Sequence, residues 1–136
     1  MTPDGLTTVA SQYGPRDTAD RLVAAVTTRG MAVMARIDHA AAAASVGMEL
    51  RPTEVLVFGN PRAGTPLMQM AQTMGIDLPL RALVWQDADD ATWLSYNDPK
   101  WLASRHLAST GGSPAVDGMT QALAAVAKEA TGAPAS

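Results

Sequence analysis

The run Glu54–Phe58, EVLVF, places apolar residues on both faces of any strand that it forms. A strand of that kind belongs in the middle of a sheet or under cover on both sides. The rest of the chain must therefore supply neighbouring strands and layers to pack on them. Immediately after the run comes Gly59-Asn60-Pro61-Arg62-Ala63-Gly64-Thr65-Pro66, in which two glycines and two prolines interrupt any regular structure. Strand, breaker and a Met-rich segment follow one another within twenty residues.

Other segments meet the demand for partners. Leu6–Gln12 is short and β-branched and reads as a first strand, ended by Gly14 and Pro15. Asp17 is a candidate N-cap, and Ala19, Leu22, Val23 and Val26 recur at the spacing of a helix stripe up to Gly30. Residues 31–37 alternate as a strand, Asp38 can cap the short helix HAAAAASV, and Gly47 closes it. Leu67, Met70, Ala71 and Met74 form a second helical stripe, stopped by Gly75. LRALVWQ and ATWLSY bracket the polar tetrad Asp87-Ala88-Asp89-Asp90, which predicts a β-hairpin with Leu83 and Trp85 facing the Trp93 region. Asp98-Pro99 opens a helix over KWLASRHL, residues 109–118 have the composition of a flexible link, and a last helix runs from Met119. The expected fold is α+β: a single mixed, mostly antiparallel sheet with helices packed on it. Residues 1–108 are expected to form the compact domain, and 109–136 a link and a C-terminal helix packing on it.

Composition narrows the function classes. A chain of 136 residues suits one domain. The formal charge of −3 argues against nucleic-acid or anionic-membrane partners. There is no cysteine, which removes disulfides and thiolate chemistry. Neither a secretory leader nor an apolar run of spanning length is found, so a soluble, cytoplasmic protein is expected.

The segment 59–66 has two readings. As architecture, Asn60-Pro61 is a turn and Thr65-Pro66 is a cap followed by proline at the first helical position. As a ligand site, free amides at a helix start near Gly64 and Thr65 would attract an anion, helped by Asn60, Arg62 and Arg51. It is not a Walker A loop, because Gly-Thr-Pro replaces Gly-Lys-Ser/Thr, and it is no dinucleotide fingerprint.

The strings IDHAAAA, GMELRPTEVLVFGNPRAGTPLMQ, IDLPLRALVWQD and WLSYNDPKWLASRH, in this order, resemble the domain of unknown function 302 family. The likeness covers about Leu6 to Leu107 and leaves the last helix outside. It implies an α+β domain, commonly a bacterial or archaeal homodimer, and brings no established reaction or cofactor. The family often has Asp-Gly at the hairpin turn, where this chain has Asp89-Asp90.

For chemistry, His39 with Asp38 is the candidate acid–base pair, set against a reading in which Asp38 only caps the helix. His106, at a helix end, suits the negative pole of that helix. Two histidines make a poor zinc set, and no metal site is expected. The eight methionines read as apolar filling rather than metal ligands. Three function classes result: a homodimeric binding domain for a small anionic or amphipathic molecule, an enzyme using His39 and Asp38, or a structural subunit.

Overall fold

The computed structural model describes residues 3–107 and 113–132. Five strands form one sheet in the order β1-β5-β4-β3-β2: β1 (Leu6–Ala10), β2 (Ala32–Asp38), β3 (Thr53–Gly59), β4 (Leu80–Gln86) and β5 (Thr92–Asn97). The expected α+β sheet is present, and every ladder in it is antiparallel. β3 lies between β2 and β4, the inner place that its two-sided apolar pattern requires.

The helices are α1 (Pro15–Thr28), α2 (His39–Ser45), α3 (Pro61–Met70), α4 (Pro99–His106) and α5 (Pro114–Thr131), with a 3₁₀ turn at Gln72–Ile76. α1 and α5 lie against the sheet and against each other. Leu56, Phe58, Leu80, Ala82, Val84 and Leu94 point from the strands into this layer and are buried with Leu22, Val26, Leu123 and Val126. Each large side chain so buried contributes roughly 1.5–3 kcal/mol. The opposite face carries Val55, Val57, Leu83, Trp85 and Trp93, all only part-buried. Ser95 is buried on that face, holding Thr8 Oγ1 and the Trp85 indole N–H, each at 2.9 Å.

Several boundaries differ from the sequence expectation. α1 begins at Pro15 with Gly14 as N-cap, so Asp17 lies in the first turn and pairs with Arg21 at 3.3 Å. A proline at the first helical position needs no N–H partner, which lets the helix begin there. α5 begins at Pro114, capped by the Ser113 hydroxyl, so part of the expected link is helical. Residues 109–112 of that link lie outside the described residues. The hairpin forms with Asp90 at φ 63, a left-handed conformation that Asp tolerates in place of the family's glycine. Trp85 and Trp93 stand opposite each other across it, with ring centroids 6.2 Å apart. Among the described residues no helix is long and apolar enough to cross a membrane.

Candidate functional site

β3 ends at a buried Gly59, and the chain turns directly into α3. A Cβ on Gly59 would come within 3.3 Å of Pro79 Cβ, so glycine permits the close pass between this turn and the segment leading into β4. Asn60 is the N-cap: its side chain accepts from Arg62 N at 3.0 Å. The backbone amides of Ala63 and Gly64 donate to Asn60 O at 2.9 and 3.0 Å. Pro61 has no amide to offer. The first turn of α3 is therefore internally satisfied. This corrects the expected helix start at Thr65-Pro66: Gly64, Thr65 and Pro66 are all inside α3. Pro66, six positions into the helix, has no N–H to donate to the carbonyl of Arg62 four residues before it, and α3 nevertheless continues to Met70. The expected stripe Leu67, Met70, Ala71 and Met74 is also divided: α3 ends at an exposed Met70, Leu67 is buried on α3, and Met74 is buried on the 3₁₀ turn that follows.

A cavity of about 600 Å³ opens between α3, α5 and the Leu78-Pro79 segment. Asn60, Arg62, Gly64 and Thr65, all named from sequence, line its α3 wall. Met31 just before β2, Met34 within β2, Met68 on α3 and Met119 on α5 converge on it, and Leu78 and Pro79 add to the apolar lining. The methionine convergence has no signal in the sequence, because the four lie up to 88 positions apart, from Met31 to Met119. Two guanidiniums stand at the cavity. Arg29 is held by Glu129 at 2.7 Å, while Arg62 is exposed and has no hydrogen-bond or ion-pair partner among the described residues.

Arg51, the other expected ligand group, is elsewhere. Its guanidinium donates to Asp87 O at 2.8 Å and Ala88 O at 3.2 Å, and pairs with Asp90 Oδ1 at 3.0 Å. It braces the β4–β5 turn, because β3 starts beside that turn and Arg51 lies two residues before the strand. The Asp87 carboxylate accepts from Trp93 Nε1, Ala91 N and Asp89 N. The Trp93 indole bond, above all, holds that carboxyl below the ordinary carboxylate range. These acids thus serve the turn, and no cluster of three or more His, Cys, Asp or Glu able to hold a metal occurs among the described residues.

Asp38 caps α2 by accepting from Ala41 N at 2.9 Å. It borders a polar hollow of about 480 Å³ shared with Asp20, Arg36 and Glu54. Arg36 bridges both of these acids, at 2.6 Å to Glu54 and 2.9 Å to Asp20. The Glu54 bond leads in raising the Arg36 pKa. His39 is exposed, does not line this hollow and has no hydrogen-bond partner among the described residues. The structure instead sets His106 between two groups that sequence reasoning missed. Its Nε2 lies 2.5 Å from Asp77 Oδ2, and its Nδ1 lies 3.0 Å from Thr73 Oγ1. Arg105 also reaches Asp77, at 3.1 Å. An ionised Asp77 fits a protonated Nε2, leaving Nδ1 to accept from the threonine hydroxyl. This cluster ties the 3₁₀ turn to the end of α4.

A family model described as "Domain of unknown function DUF302" matches residues 7–130. It extends through most of α5, so the last helix lies within the family pattern, contrary to the resemblance drawn from sequence strings. Over 128 residues, 94% of the chain, it is 44% identical to "Fluoride-specific ion channel FluC 1" of Brucella suis biovar 1 (strain 1330), of which this covers 50%. The same identity holds for "Fluoride-specific ion channel FluC 1" of Brucella abortus biovar 1 (strain 9-941), of which 47% is covered. The chain therefore spans about half the length of the curated relatives that it matches. A solved structure titled "Crystal structure of uncharacterized conserved protein DUF302 from Bacillus stearothermophilus" has the same fold. It has a TM-score of 0.80 at 19% identity, over 94% of this chain and 99% of that one.

Proposed function

The chain belongs to the DUF302 family, and from that premise we propose that it is a binding domain whose ligand occupies the cavity between α3 and α5. The observation that carries this reading is the cavity itself: about 600 Å³, within the usual range for small-molecule sites, apolar in its walls and with few polar groups at its edge. Binding does not use the first-turn amides of α3, which their own cap engages. It uses the apolar walls, with Asn60, Arg62, Gly64 and Thr65 along one side. Arg51 has no part in it, and the acid–base pair His39/Asp38 is the weaker alternative, since His39 faces solvent.

The test exploits Gly118, which lines the cavity on α5 and whose added Cβ would meet no atom within 4 Å. Gly118→Phe should narrow the cavity without loss of thermal stability, because phenylalanine has a better helix propensity than glycine. Small amphipathic probes that raise the melting temperature of the parent should leave this variant unmoved. Equal shifts in both proteins would place the ligand elsewhere.

The protein also works, in this reading, as a homodimer through the sheet face that carries Val55, Leu83, Trp85 and Trp93. Exposed Ile37, which pairs with Val55, and exposed Val46, Met48 and Leu50 between β2 and β3 support it, since large apolar side chains left in solvent mark interaction surfaces. A second reading is favoured by the relatives' printed names: the chain acts beside a fluoride channel. Adding the purified chain to vesicles containing the Brucella suis relative shortened to its unmatched half should alter fluoride flux. Unchanged flux counts against it.

A further inference from the structure

The geometry points to one ligand class for the cavity, resting on the reading just given that the cavity is a binding site: a linear aliphatic chain ending in a carboxylate. Met31, Met34, Met68 and Met119 present unbranched, polarizable side chains that adapt to a flexible occupant. Leu78 and Pro79 extend the same apolar lining. Little in these walls satisfies a polar group along the body of a ligand. The Asn60 amide oxygen caps α3, and Arg29 is paired with Glu129. A molecule with hydroxyls or amides along its length would bury them unpaired and bind poorly. At one edge, Arg62 offers a guanidinium with no acid partner among the described residues. A planar five-donor fork matches a carboxylate in both shape and charge. Thr65, one helical turn further along α3 on the same wall, adds a hydroxyl without a partner among the described residues. The cavity thus has an apolar body and one cationic corner, and the complementary molecule has an apolar tail and one anionic end.

Calorimetric titration of the full chain with straight-chain carboxylates of four to twelve carbons, and with the matching alcohols, tests this. Each added methylene should tighten carboxylate binding by about threefold to fourfold until the cavity is full. At low salt each carboxylate should bind about tenfold tighter than its alcohol, an advantage that shrinks as salt rises. Arg62→Ala, at an exposed position, should remove that advantage and preserve the dependence on length. Alcohols that equal carboxylates, or an Arg62→Ala variant that keeps the preference, would overturn the ligand class while leaving the cavity a binding site. Carboxylate binding that ignores chain length would overturn it too. Absence of binding by every member of both series would overturn the ligand class and the binding reading together.

Discussion

Asp87 shows how much one side chain can organise. Its carboxylate gathers two backbone amides and the Trp93 indole, and the hairpin tip closes around it. A carboxyl held below its ordinary range in the folded state contributes stability that is present above the unfolded pKa. That stability is lost as pH falls through the folded one. In Trp93→Phe the Asp87 carboxyl should titrate higher, toward the ordinary range, and its share of the acid loss of stability should be smaller and complete at a higher pH. Carboxyl-carbon NMR titration of both proteins measures this, and an unchanged Asp87 titration would remove the indole from its causes. The sequence shows three acids at a turn but not their division of labour. Asp87 faces inward to Trp93, whereas Asp90 faces Arg51, which precedes a different strand. The same limit hid Asp77 and His106, brought together from 29 positions apart by the packing of α4 against the 3₁₀ turn.

Elements were legible where period and caps agree. α2 and α4 start where Asp38 and Asp98 accept from the amides of Ala41 and Lys100, and the hairpin pairs Trp85 with Trp93. α3 was misplaced because the segment offers two cap-plus-proline pairs, Asn60-Pro61 and Thr65-Pro66, and local rules rank them nearly equally. The structure selects the first pair, since Gly59 packs against Pro79 and the helix must begin at once. Asn60→Ala should therefore cost about 1 kcal/mol, the usual loss for a removed N-cap. Thr65→Ala, inside the helix, should change stability by less than about 0.5 kcal/mol. Urea unfolding of the two variants distinguishes them. A larger loss in Thr65→Ala would return the helix start to Thr65.

At the scale of the whole molecule, the two faces of the sheet have different tasks. One packs under α1 and α5, and between α5 and α3 it leaves the cavity. The other keeps Val55, Leu83 and the tryptophan pair part-buried, the two-sided pattern that EVLVF displays in sequence. Sedimentation of the parent should give a dimer and of Leu83→Arg a monomer with unchanged helix content. A parent that sediments as a monomer at micromolar concentration would remove this face as a self-association surface. Candidate ligand residues on α3 were legible because they adjoin one another in sequence, whereas the methionine walls come from separate elements and needed the fold. Those walls also supply the most direct measurement. With the eight methionine methyl groups labelled with carbon-13, titration with an eight-carbon carboxylate should shift Met31, Met34, Met68 and Met119. The exposed Met48 and Met70, outside the cavity, should stay in place. Shifts confined to Met48 and Met70, or none at all in the four lining methyls, would contradict the assignment of the cavity as the site.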